Sequence, residues 1–270
     1  CAESSVVSLT DCAITANRAL SSSGHRYGGG VYCAEASLTL TACTITGNRA
    51  SWGGGVYCRG FSSQALAACT IAGNSAGRGG GGVFCREASP TLTGCTIIGN
   101  TAVDGGGVDC VGASPALANC TLTANTASRG AGVYCDASSS PALAGCIVWD
   151  NAGGAILGEA DSSPSVAYSC IESEPVWPGE GNINASPLFC GWDARGEVWV
   201  DPASPVPGDG SEANPYADVR EATASFRLSL AADSPCIGAG KDGTDMGADT
   251  GRCDDPPGTA LIVHLAPGTY

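Results

Sequence analysis

Short runs of strictly alternating apolar and polar residues recur along this chain, and the recurrence is more informative than any single run. One run is Gly-rich: GGGVYC at Gly28–Cys33 and Gly53–Cys58, GGGVFC at Gly80–Cys85, GGGVDC at Gly105–Cys110, GAGVYC at Gly130–Cys135, and a degenerate GGAIL at Gly153–Leu157. The other ends on asparagine: TDCAITAN to Asn17, TACTITGN to Asn48, AACTIAGN to Asn74, TGCTIIGN to Asn100, ANCTLTAN to Asn125 and AGCIVWDN to Asn151. A period of two puts Val and Cys of G-V-Y-C on one face and the aromatic on the other. In C-T-I-T it sets Cys and Ile together against both Thr. The Cys, Val, Ile and Leu positions are the predicted interior. No copy is long enough to bury that face alone, so the copies are expected to stack as parallel rungs roughly 4.8 Å apart. The asparagines then form a ladder at a turn, and the glycines allow a tight corner. No segment keeps a 3.6-residue period, which excludes a helical solenoid.

The valine positions Val31, Val56, Val83, Val108, Val133 and Ile156 recur about every 25 residues. The step from Asn17 to Asn48 is longer than every later one. The excess lies near Leu20–Tyr27, includes His25 and Arg26, and reads as a corner loop. After Gly158 the period decays: Ser162–Ser173 reads as one more rung and Glu174–Phe189 as an irregular closing coil. The chain therefore divides into repeats over 1–190 and an irregular cap over 191–270, with a terminal strand at 259–270. The predicted class is all-β, a single-stranded parallel solenoid with that cap.

The GGGVYC…CTITGN units resemble the right-handed parallel β-helix of the pectin-lyase-like superfamily. Within it they look most like non-catalytic repeat proteins of bacterial surfaces, the polymorphic outer-membrane type. The resemblance covers roughly residues 1–190 and implies fold more than function. Trp177–Phe189, Phe226–Gly240 and Asp245–Asp249 look like the closing coil and cap of such secreted proteins. Val198–Ala222 and Pro256–Tyr270 instead look like segments that precede a first coil, so the order resembles a circular permutation. Placing Tyr270 before Cys1 gives G-T-Y-C-A-E, matching Gly30–Glu35. On that reading Cys1, Leu261, Val263, Leu265 and Tyr270 are assembly residues. The terminal strand then completes the first coil of its own chain or that of a neighbour, the latter giving a head-to-tail filament.

Composition narrows the function classes. The 270 residues carry 40 Gly but few aromatics, which suits an interior one side chain deep, and a net charge of −14 argues against nucleic acid as partner. No apolar run reaches the ~18–20 residues of a transmembrane helix, and the start lacks the pattern of a signal peptide. Sixteen cysteines with only two histidines, His25 and His264, and no C-x-x-C give no metal pattern. They point to disulfides in an oxidising, extracellular or cell-surface setting. The spacing favours within-coil pairs: Cys1/Cys12, Cys33/Cys43, Cys58/Cys69, Cys85/Cys95, Cys110/Cys120 and Cys135/Cys146, with Cys236/Cys253 tying the cap. Pairing between stacked rungs is the alternative, and Cys170 and Cys190 are left unassigned. An N-terminal Cys1 followed by Ala also resembles a lipidated lipoprotein terminus, a reading that its register with the other pairs disfavours.

Four further patterns bear on ligands. Tyr32, Tyr57, Phe84 and Tyr134 form an outward ladder, broken by Asp109, which could stack on sugar rings or simply pack. Outward threonines (Thr44/Thr46, Thr70, Thr96, Thr121/Thr123) suggest an ice-binding array, but the second column is irregular. Asp242, Asp245, Asp249, Asp254 and Asp255 could supply oxygens to Ca²⁺ or form an acidic turn, and Asp201 and Asp209 read the same way. Polysaccharide-active enzymes need clustered carboxylates beside a base; Asp104 and Asp109 lie close in sequence, yet no basic residue recurs with them. The expectation is therefore a secreted structural protein, a filament subunit without catalysis. The alternatives are a monomeric adhesin or glycan-binding module, and then a polysaccharide lyase or hydrolase.

Overall fold

The computed structural model describes residues 4–19, 26–60, 63–136, 138–190, 197–200, 229–231, 234–248, 252–253 and 262–265. Three parallel sheets run the length of a solenoid. The valine–cysteine sheet stacks Val31–Ala34, Val56–Arg59, Val83–Arg86, Val108–Val111, Val133–Cys135 and Ile156–Gly158. The leucine sheet runs from Val6–Thr10 and Ser37–Thr41 through Gln64–Ala67, Thr91–Thr93, Ala116–Ala118 and Ala142–Ala144 to Ser165–Ala167. The isoleucine sheet holds Ala13–Thr15, Thr44–Thr46, Thr70–Ala72, Thr96–Ile98, Thr121–Thr123, Ile147–Trp149 and Cys170–Ile171.

Register follows the sequence alignment. Val31, Val56, Val83, Val108, Val133 and Ile156 lie opposite one another in turn, as do Cys33, Cys58, Cys85, Cys110 and Cys135. The interior is filled by like on like: valine and cysteine, then Leu40, Leu66, Leu92, Leu117 and Leu143, then Ile45, Ile71, Ile97 and Leu122, all buried in one core. Identical side chains in register pack at constant spacing, so each coil completes the burial that its neighbour began.

The Gly-rich corner has a different reason for each glycine. The first lies in the left-handed region, as Gly80 does at φ +65°, which L side chains rarely adopt. The third lies under the next coil: a Cβ on Gly82 would sit 2.7 Å from the Gly107 carbonyl oxygen. One glycine turns the chain and the other allows the coils to approach.

The asparagine ladder forms as expected. Asn74 Nδ2 donates to Ile45 O (2.8 Å) and to Asn100 Oδ1 (3.0 Å), while Asn74 Oδ1 accepts from Asn48 N (2.9 Å) and Asn48 Nδ2 (3.0 Å). The same pattern runs from Asn17 to Asn151. It answers for backbone amides at a buried turn where no sheet partner exists.

The two ends differ. At the C-terminal end Ile183 pairs with Cys170, and a second apolar cluster of Ile147, Cys170, Leu230, Cys236 and Met246 covers the last coils. At the first-coil end Val7, Leu9, Cys12 and Ile14 are only partly buried, and Val6 is 83% exposed. The terminal strand has a partner other than the expected first coil. Ile262–Leu265 pairs in parallel with Glu197–Val200, with Val263 opposite Val198 and Leu265 opposite Val200. Two alternating apolar segments from the same end of the chain have found each other; Cys1, Leu261 and Tyr270 lie outside the described residues. Of the long first coil's corner, His25 is likewise outside them, while Arg26 offers its carbonyl to the Ser51 and Trp52 amides.

Candidate functional site

The outward face of the valine–cysteine sheet carries the row of Tyr32, Tyr57, Phe84, Asp109 and Tyr134. The rings are in contact along the row, Tyr32 tilted against Tyr57 at 5.3 Å between centroids and Tyr57 stacked on Phe84 at 5.1 Å. The row is not an open platform, however. Tyr57, Phe84 and Tyr134 are buried, and only Tyr32, at 36%, counts as exposed.

A second column beside the row takes part in covering it, contributed by the residue just before each first glycine: Tyr27, Trp52, Gly79, Asp104 and Arg129. Parallel bridges link them coil to coil. Tyr27 packs on Tyr57 (4.9 Å), Trp52 on Phe84 (5.0 Å), and the Arg129 guanidinium over the Tyr134 ring (4.7 Å). Arg78 also approaches the face of Trp52 (5.8 Å). Tyr27 and Trp52 face rings of the next coil, whereas Arg129 faces the ring of its own. The gap at Gly79 is filled by the Asp109 carboxyl, which any side chain at 79 would strike. The pairing of columns is hidden when each is inspected alone.

Asp109 is the chemically unusual member. It is buried, its Oδ1 has no hydrogen-bond partner, and burial, then the Asp104 and Asp136 charges, push its pKa well above the usual carboxylate range. Asp104 is held by Arg129 through two bonds of 2.7 and 2.8 Å. Arg129 Nη1 also donates to Glu159 Oε1 (3.0 Å), which accepts from the Tyr134 hydroxyl (2.8 Å). A basic residue is therefore present after all, bonded to Asp104. It comes from the next coil, and this is why motif reading missed it. The arrangement sets a buried carboxyl of raised pKa beside a half-exposed ion-pair network. Surface pairs of this kind contribute about 0–1 kcal/mol each.

The cysteines stand in two ladders rather than within-coil pairs. None of the eleven cysteines in these two ladders is bonded to another in the structure. Cys33, Cys58, Cys85, Cys110 and Cys135 line the valine–cysteine sheet. Cys12, Cys43, Cys69, Cys95, Cys120 and Cys146 line the corner between the leucine and isoleucine sheets, with the thiols of Cys69, Cys95, Cys120 and Cys146 as neighbours in succession. Even spacing inside a coil keeps each cysteine on its own ladder; the neighbouring sulfur belongs to the coil above or below. Burial raises the Cys58 and Cys85 thiols well above their ordinary pKa, which makes them unreactive. For the remaining pair, Arg252–Cys253 lies beside Leu230–Ala231, with Cys253 opposite Ala231, while Cys236 is buried next to Cys170.

The other expectations fare unevenly. Thr46, Thr121 and Thr123 are buried, so the threonine columns offer no flat exposed array. Asp245 accepts the Gly238 amide at 2.9 Å inside a turn, and Asp242 lies exposed in the same turn. Asp201, Asp209, Asp249, Asp254 and Asp255 lie outside the described residues. No helix of the described residues is long and apolar enough to cross a membrane.

The sequence profile of the right-handed beta helix region family matches residues 1–127 and, in an overlapping stretch, 54–174. The chain belongs to that family. The family's fold is what the stacked sheets display, and membership extends no further than fold. No curated protein matched the chain, and no solved structure did.

Proposed function

We propose that the protein is an extracellular structural rod that assembles end to end, its open first coil receiving strands from the C-terminal part of a second copy. One observation carries this reading: among the described residues, the interior is left partly open at the first coil. Leu38, Leu40, Cys43 and Ile45 are at most 1% exposed, whereas their counterparts Val7, Leu9, Cys12 and Ile14 are only partly buried. Asn17 Oδ1, at that end of the ladder, accepts no bond among the described residues, while each later ladder oxygen accepts two.

The C-terminal part supplies the complement. Glu197–Val200 and Ile262–Leu265 make a parallel two-stranded sheet with no third strand among the described residues, and an isolated pair of strands is marginal in water. Parallel pairing is also the mode that every rung uses. The net charge of −14 keeps rods apart sideways, leaving the strand edges at the ends as the place to join. The burial of the aromatic row takes away the platform on which an adhesin would stack sugar rings. The reading assigns the chain no catalytic step.

Sedimentation velocity over a wide concentration range, with electron microscopy of the same samples, tests the proposal. Linear oligomers are expected, abolished by Val7→Asp together with Ile14→Asp while the strand signal in circular dichroism is kept. A monomer at every concentration overturns it.

A further inference from the structure

Two buried cysteines outside both ladders, Cys170 and Cys236, lie together. From Cys43 on, each corner-ladder thiol makes a recurring contact, donating to a carbonyl of the preceding coil: Cys95 to Leu66 O (3.4 Å), Cys120 to Leu92 O (3.5 Å) and Cys146 to Leu117 O (3.5 Å). In the last coil the corner is taken by Ser169. Its hydroxyl accepts from Cys146 N (3.0 Å) and donates to Ala167 O (2.8 Å). The cysteine follows one residue later. Since side chains alternate along a strand, this shift moves Cys170 from the interior to the outward column, opposite Ile147 in register. Earlier coils carry threonine there, at Thr44, Thr70, Thr96 and Thr121.

An outward thiol on the last coil would ordinarily meet water. Cys170 is instead fully buried, and so is Cys236, in one cluster with Leu230 and Met246. Cys236 is delivered by a turn that is itself anchored. Ser234 Oγ donates to Pro187 O (2.6 Å), Met246 N to Cys236 O (3.0 Å), and Ala248 N to Thr121 Oγ1 (3.0 Å). We propose that Cys170 and Cys236 are joined by a disulfide that fastens segment 234–248 to the outer face of the last coils, while the ladder cysteines stay reduced as core.

The pair is chemically matched for this bond. The Cys236 thiol donates toward Cys170 and thereby lowers the Cys170 pKa, favouring the nucleophilic thiolate. A small disulfide such as oxidised glutathione is a sufficient oxidant. The Cys170 thiolate attacks one of its sulfurs, expelling one glutathione thiolate and leaving a mixed disulfide. Cys236, giving up its proton, attacks the Cys170 sulfur and expels the second. Two electrons pass to the oxidant, and two protein thiols become one disulfide. The clasp forms within a chain, so it is independent of the end-to-end reading, and sedimentation of the same samples reports on that separately.

The test uses the full chain, equilibrated with oxidised glutathione, alkylated with iodoacetamide in denaturant, and digested without reductant. One cross-linked peptide pair containing Cys170 and Cys236 is expected, with the ladder cysteines recovered alkylated. Recovery of Cys170 and Cys236 as alkylated thiols, or either one linked to another cysteine, overturns the proposal. Limited proteolysis gives a second measure. Reduction should speed cleavage within 234–248 by at least about tenfold in the parent chain, because a cross-link holds the segment closed. It should change nothing in the Cys170→Ser/Cys236→Ser double variant. Equal acceleration in both overturns the clasp.

Discussion

Replacing Asn100 by alanine isolates what the asparagine ladder contributes. Asn100 Oδ1 accepts from Asn74 N (2.9 Å) and Asn74 Nδ2 (3.0 Å), and its own Nδ2 donates to Ile71 O (2.9 Å) and Asn125 Oδ1 (3.0 Å). The substitution strands one backbone amide and one side-chain N–H of Asn74 in a turn that water does not reach. An unsatisfied buried group costs about 1–3 kcal/mol, so Asn100→Ala should destabilise by about 3–5 kcal/mol. Asn17→Ala is the internal control. Asn17 is exposed at the open end, and its amide bond to Asn48 Oδ1 (2.9 Å) uses backbone alone. Losing its side chain should cost under about 1 kcal/mol, because water replaces the missing partner. Urea unfolding followed by circular dichroism measures both, with the slope checked for loss of cooperativity between coils. If the two variants fall within about 1 kcal/mol of each other, the ladder is a consequence of stacking and not a cause of it.

Three further outcomes follow from the same geometry. Gly82→Ala must push its coil away from the Gly107 carbonyl and should cost more than about 2 kcal/mol. Gly73→Ala meets nothing within 4 Å and should cost only the ~1 kcal/mol of a left-handed residue; equal thermal melts for the two would refute the close-approach account. Cys95→Ser should be nearly neutral, because Ser169 already occupies the equivalent corner with both its bonds made. Cys85→Ser puts a hydroxyl among valines and should lose about 1–3 kcal/mol in chemical denaturation; the reverse order would show that the ladders are not distinct. For Asp109 the folded-state pKa is raised, so below the ordinary carboxylate value of ~4 it is protonated in both states. As pH rises, the unfolded chain releases that proton first and stability falls. Asp109→Asn should therefore gain on the parent chain as pH rises above about 4, and a gap that stays flat over that rise would contradict the burial argument.

What the sequence disclosed and what it hid divide along one physical line. Interactions repeated in every coil were legible: register, the asparagine ladder, the glycine corner and the inward cysteines all follow from period-two alternation and equal spacing. Interactions between one column and another were not. The aromatic row was read as exposed because alternation says only which way Tyr57 and Phe84 point, and burial depends on Tyr27 and Trp52 arriving from the neighbouring corner. Asp104 and Arg129 pair across coils, so no local motif contains both. The cysteine spacing misled in the same way. A constant interval within a coil suggested a bond along the chain, whereas in a solenoid it means only that each column is in phase. The informative cysteine is the one out of phase. Ser169–Cys170 departs from the column by one residue, and a departure of one residue in a strand exchanges inside for outside. In a repeat protein the regular positions specify the fold, and singular ones such as Asp109, Cys170 and the unfinished first coil are where a particular chemistry or partner is to be sought.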